Sequence, residues 1–312
     1  MMFITLLDSL YQQPIIHAVR DSVVVDTLRH AGAATGHGGS EGNVFTQLLN
    51  HLLDSRDIEF QPFTHFSFPQ FPTVHIFGLT IDLSITKHVF YMWIAALVLI
   101  AIAVTAARQN RKRRVPTGIG NLIEIIIVFI REEIVLPNMG QEGMKYISYL
   151  LTTFFFILTM NLLGLIPYGV SSTGNISITA GLAIVAFCMI QVAAIRKQGF
   201  RNYLAHLTGG VHWALWPILI PIEIIGLFTK PFALCIRLFA NMTAGHLVLV
   251  SLAGLIFMFR SYAIAPASVL FMLGINLLEF LVALLQAFIF TILTALFMGI
   301  GIQGGHEEEN SY

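Results

Sequence analysis

Two long apolar stretches toward the C-terminal end of this 312-residue chain carry Glu223, Lys230, Arg237, His246 and Glu279, with Asn241, Asn276 and Gln286 among them. At bilayer depth an ionisable side chain costs about 2.5–3.5 kcal/mol, and by default it marks an ion or proton path. A structural ion pair, or an arginine snorkelling to a headgroup, is the plainer reading of one such group. Five in one hairpin exceed what a single locking pair requires, and Arg237 stands too deep in its stretch to snorkel.

Helical spacing sorts these residues. Arg237 and Asn241 are four apart and share a face, as do Glu279 and Gln286, seven apart. Glu223 lies near the face of Arg237 but about 21 Å further along the axis. A hairpin turning at Ser261 sets Arg237 level with Gln286, and His246 between the levels of Asn276 and Glu279. Three stations follow: His246 with Glu279, then Arg237 with Asn241 and Gln286, then Glu223. Histidine and glutamate can exchange protons, whereas arginine, with a pKa above about 12, cannot. A relay entering from either side would stop at Arg237. That makes sense if a second, moving protein carries the proton past the barrier on its own carboxylate.

The elements that hold these groups must be membrane helices. The chain is 56% hydrophobic and 11% charged, with a mean hydropathy of +0.78. Soluble domains carry charge at about 25% of positions, so this is an all-α polytopic membrane protein. Residues 1–83 form a more polar extramembrane arm with some helix, 84–303 a membrane domain, and 304–312 a cytoplasmic tail. The start of the arm lacks the basic region of a cleavable signal peptide. Its His17, His30, His37, His51, His65 and His75, with His88 beyond it, make no pair at metal-ligand spacing, so no metal or cofactor is expected. Cys188 and Cys235 read as small buried residues. No G-x-x-x-x-G-K phosphate loop occurs; neither nucleotide nor nucleic acid is an expected ligand. Asn175-Ile-Ser fits a glycosylation acceptor, but chance explains so short a pattern.

Spans are expected at 89–107, 146–166 and 176–195, followed by stretches at about 212–259 and 263–302. The segment TGIGNLIEIIIVFIREEIVLP is apolar enough to span but holds Glu124, Arg131, Glu132 and Glu133. Basic runs at 108–114 and 196–201 mark one cytoplasmic side, so an even number of crossings separates them. The spans at 146–166 and 176–195 supply these, leaving the ambiguous segment along the cytoplasmic interface. The N-terminal arm is then outside and the C-terminus cytoplasmic. A straight helix over 212–259 would be roughly 70 Å long, over twice the hydrocarbon thickness. Either Pro217, Pro221 or Pro231 breaks it, or it runs steeply tilted.

RLFANMTAGH and the later LEFLVALLQAFIFTILT resemble the a subunit of F-type ATP synthases, the membrane stator beside the rotating c-ring. MNLLGLIP and TGNISITAGLA resemble that family's earlier spans, so the similarity covers about residues 88–303. The resemblance implies five spanning helices, the last two long and tilted against the ring, plus a surface amphipathic helix. It implies that Arg237 faces the ring's essential carboxylate, essential for coupling, with Asn241 and Gln286 lining the same region. Glu223 maps to a cytoplasmic proton half-channel, and His246 and Glu279, with Asn276, to an outer one. Some bacterial members carry Glu and His in the reverse order at the two outer positions. Implied partners are the c-ring, the peripheral-stalk b subunits and the lipid bilayer, in a bacterial inner (plasma) membrane; the subunit has no active site of its own. A secondary transporter is the competing class, but neither an internal repeat nor a matched pair of broken helices is visible.

Overall fold

The computed structural model describes residues 57–60, 64–67, 74–76, 79–81, 86–112, 118–166, 171–207, 216–259 and 264–303. The described chain divides into two compact units, residues 1–86 with 250–269, and residues 87–249 with 270–312.

In the first unit, β1 (Asp57–Phe60) pairs antiparallel with β2 (Thr64–Ser67), and β3 (Val74–Ile76) with β4 (Leu79–Ile81). Val74-His-Ile76 and Leu79-Thr-Ile81 alternate apolar and polar residues, the period of a strand, and only Phe77-Gly78 separates them. These hairpins were not expected; the helix expected in the arm lies outside the described residues. In the same unit Ser268 donates to the Leu252 carbonyl at 2.7 Å.

The second unit is helical. Its elements are α1 (Lys87–Lys112), α2 (Ile119–Phe129), α3 (Leu136–Met139), α4 (Ile147–Gly164), α5 (Ile176–Gln198) and α6 (Phe200–Leu207). To these it adds most of α7 (Trp216–Phe259) and α8 (Ile264–Gln303). Five helices, α1, α4, α5, α7 and α8, are long and apolar enough to cross a membrane. At 44 and 40 residues, α7 and α8 extend about 66 and 60 Å. The helix α7 runs unbroken through Pro221 and Pro231, while Pro217 sits at its start, where a missing N–H costs nothing. Of the two readings of this stretch, the long single helix is the one observed.

Segment 119–145 changes pitch along its length. A π turn, Ile130–Val135, follows α2; after α3, Gly140 takes a positive φ of 62° and a 3-10 run reaches Lys145. Asn138 Nδ2 donates to the Ile134 carbonyl at 2.7 Å. Ile130, Ile134 and Val135 are buried, while Leu122, Ile125 and Phe129 are exposed beside Glu124, Arg131, Glu132 and Glu133. With 11 residues, α2 is about 16 Å long, too short to cross a bilayer by itself.

Lipid tails are as apolar as leucine, so membrane helices associate through close packing rather than hydrophobic burial, and small residues permit it. The contacts follow that rule. A methyl at Gly299 would lie 2.0 Å from the Asn138 carbonyl oxygen, and one at Gly301 2.9 Å from Ala194 Cβ. Ala183, Ala186, Ala193, Ala283, Ala287 and Ala295 are buried around Leu150, Ile157, Met160, Phe290 and Met298. Gln198 Nε2 donates to the Gly301 carbonyl at 2.6 Å, tying the end of α5 to that of α8. Cys235 is buried with its sulfur 3.4 Å from Thr179 Oγ1, but Cys188, expected buried, is exposed on α5. Asn175 accepts from the Ser177 N–H at 2.8 Å and caps α5.

Candidate functional site

Two of the three stations hold pairs that cross between α7 and α8. His246 Nδ1 lies 3.6 Å from Glu279 Oε1, with Glu279 only 3% exposed. That is an ion-pair distance but longer than a hydrogen bond. Glu279 Oε1 and Oε2, His246 Nε2 and Thr243 Oγ1 are buried and form no hydrogen bond among the described residues. Buried polar atoms are nearly always partnered, so four together mark a place where water or a proton belongs. The backbone makes room for the acid at Gly245, where a Cβ would stand 2.7 Å from Glu279 Oε1 and 2.9 Å from its Cδ.

One turn along, Asn241 Nδ2 donates to Gln286 Oε1 at 2.8 Å, and Gln286 is buried. The turn-centred count set Gln286 level with Arg237, but its partner is Asn241, four residues on. The register of α7 on α8 is therefore not the one that a turn at Ser261 sets. Arg237 is half-buried, four residues before Asn241, and its guanidinium has no ion pair or hydrogen bond among the described residues. Asn276 is half-buried and likewise makes no side-chain hydrogen bond there, so it does not join the His246–Glu279 pair.

The third station is separate. Glu223 is half-buried near the start of α7, and its charge acts on Tyr203 of α6. Burial, and after it the Glu223 carboxylate, pushes the Tyr203 phenol up from 10.0, keeping it protonated, and it donates to Gln191 Oε1. Between this station and Arg237, the Lys230 ammonium lies 5.1 Å above the Phe297 ring.

A buried hydrogen-bond chain that sequence reasoning missed runs toward Glu279 from the start of α1. His88 Nδ1–H donates to the Ser171 carbonyl at 3.0 Å, and Ser172 Oγ returns a bond to the His88 carbonyl at 3.0 Å. Thr173 donates to Asn161 Oδ1 at 2.8 Å, which leaves Ser171 Oγ to donate to Thr173, also at 2.8 Å. Asn161 Nδ2 then reaches the Ala283 carbonyl on α8 at 3.4 Å, one turn from Glu279. Gly164 lets Ser171 approach closely, since a methyl there would lie 2.5 Å from Ser171 Cβ. The partners stand 83 and 122 residues apart, so no local spacing could announce them. Asn161 in the middle of a span was the one available signal.

Sequence comparison bears on the chain as a whole. The family described as ATP synthase A chain matches residues 89–299. "ATP synthase subunit a" of Chlorobium phaeobacteroides (strain BS1) is 49% identical over 285 residues, covering 90% of this chain and 82% of that protein. The subunit of the same name from Chloroherpeton thalassium is 49% identical over 263 residues, 83% of this chain and 77% of its own. That of Myxococcus xanthus is 49% identical over 232 residues, 74% and 77% of the two chains. With the match reaching from α1 into the last turns of α8, this multi-pass membrane chain belongs to the ATP synthase A chain family.

Proposed function

We propose that this chain is the proton-translocating stator of an F-type ATP synthase, working against a ring of c subunits and making no covalent change itself. One observation carries the reading: along α7 and α8 an Asn241–Gln286 bond and then a His246–Glu279 pair follow Arg237 on one side, and Arg237 has no counter-charge among the described residues. The missing counter-charge is a carboxylate on the ring. Ala233, Ile236, Ala240, Asn241 and Ala244 are exposed around Arg237, so a partner helix can approach closely. Only 11% of the spanning window of α7 is buried, against 39% for α8, which leaves a face for the ring.

In this reading an outer half-channel ends at His246 and Glu279, with Asn276 along it, and an inner one at Glu223. Asn241 and Gln286, held to each other, keep the α7–α8 spacing at the barrier. A proton arrives at Glu279, passes to the ring carboxylate, travels with rotation and leaves by Glu223. Arg237 cannot accept it, so no proton crosses within the stator. When the ring carboxylate ionises, Arg237 attracts it; at 4 Å and an effective dielectric near 20 that is about 4 kcal/mol before desolvation. Such an attraction favours ionisation at the stator yet permits release. The arm is outside, the tail cytoplasmic and segment 117–137 along the cytoplasmic surface of a bacterial inner membrane, with peripheral-stalk b subunits as further partners.

The test exchanges the outer pair. If His246 and Glu279 act as one relay, the double exchange retains more proton-driven ATP synthesis in vesicles than either alanine variant. Each alanine leaves one group unpartnered, at about 1–3 kcal/mol. Equal loss in all three variants would contradict coupling between them.

A further inference from the structure

A cavity of about 300 Å³ opens at the ends of α5 and α8, lined by Glu142, Lys145, Tyr146, Ala193, Arg196, Lys197 and Ile302. The carboxylate of Glu142 is shared: Lys145 Nζ donates to Oε2 at 2.9 Å and Lys197 Nζ stands 3.5 Å from Oε1. Arg196 has no carboxylate partner among the described residues. The lining therefore holds three cations against one anion and is net positive. The last turn of a helix attracts cations without any ligand, but that explains neither the cavity nor two ammoniums gathered from separate segments. Above Arg196, Val185, Cys188 and Val192 follow at helical spacing on one exposed face of α5, with Val185 at 53% and Val192 at 37% exposure. An apolar stripe thus leads along a membrane helix to a guanidinium at the mouth of a basic cavity.

We propose that this cavity binds the phosphate headgroup of an anionic phospholipid. The guanidinium fork takes two phosphate oxygens, and the ammoniums of Lys145 and Lys197 supply point charge. One acyl chain lies along Val192 and Val185. Basic pockets between spans are suited to such headgroups, whereas free phosphate would gain nothing from the stripe. The site rests on the membrane character of the helices and not on the proton path.

The test uses the assembled complex in nanodiscs of phosphatidylcholine with a minor fraction of phosphatidylglycerol, then exchanged into pure phosphatidylcholine. Retained phosphatidylglycerol is measured by mass spectrometry. Each neutralised cation lowers retention at this site about fivefold, so Arg196→Gln shows a partial loss. Combining it with Lys145→Gln and Lys197→Gln removes one bound lipid per chain. Arg196 is exposed, so the single variant assembles even if the triple one does not. Wild-type retention by Arg196→Gln overturns the proposal. Complete displacement of the lipid by inorganic phosphate also overturns it, because the site would then be one for a free anion.

Discussion

Gly245→Ala tests whether the separation of His246 and Glu279 limits proton entry. The added methyl would begin 2.7 Å from Glu279 Oε1, 2.9 Å from Cδ and 3.3 Å from Cγ, where ordinary contact starts at 3.4 Å. The obstructed atoms are the end of a flexible side chain, so the carboxylate retreats and the helices stay in place. A retreat of about 0.7 Å stretches the 3.6 Å pair to about 4.3 Å. Taken as a full ion pair at an effective dielectric of 20, their attraction falls from about 4.6 to about 3.9 kcal/mol, an upper bound because a neutral His246 or Glu279 would lose less. That loss, about 0.7 kcal/mol, corresponds to about threefold in rate. The assay is ATP synthesis driven by an imposed proton gradient in vesicles, with complex assembly monitored in parallel. Glu279→Asp shortens the side chain by one methylene and clears the methyl. The double variant should therefore be no worse than Glu279→Asp alone. Unchanged synthesis in Gly245→Ala, or losses that multiply as for independent sites, would refute the role given to this notch.

Two further predictions concern other parts of the chain. Asn161→Ala leaves Thr173 and the Ala283 carbonyl without their buried partner, at about 1–3 kcal/mol; the complex should melt lower, and an unshifted melting curve would show the chain to be dispensable. At Glu142, the Lys145 hydrogen bond, then the charges of Lys145 and Lys197, hold the carboxyl below its usual 4.5. A depressed carboxyl stabilises the fold above the unfolded pKa, and that contribution disappears as pH falls below 4.5. With 43% of its side chain open to solvent, the group contributes little, so Glu142→Gln should only slightly flatten the fall in melting temperature below that pH; an identical slope would remove Glu142 from the acid response.

The spans were legible because hydropathy over about 20 residues is a one-dimensional signal, and α1, α4, α5, α7 and α8 each carry it. The polar stations were legible for the same reason, since an ionisable group inside such a run has no cheap alternative. Pairing was harder. Asn241 meets Gln286 because the register of α7 on α8 differs from a count centred on Ser261, and no local spacing carries that register. Gly245 and Gly164 read as ordinary glycines until the side chains opposite them are placed. Tyr203 reaches the Glu223 region from α6, a short helix that starts at the end of the basic run 196–201. The hairpins of the arm, at three and four residues per strand, fall below the length at which alternation is distinctive.

The central claim is that Arg237 serves by remaining charged between two proton paths. Lysine keeps a charge but loses the planar fork and can shed its proton when buried, so Arg237→Lys should also couple poorly. The most direct measurement is ATP synthesis together with passive proton leak in vesicles holding the assembled complex with Arg237→Ala. Synthesis should be abolished while leak persists or rises, because the barrier is gone and the ring carboxylate has lost its counter-charge. Near-normal coupled synthesis by Arg237→Ala would contradict it.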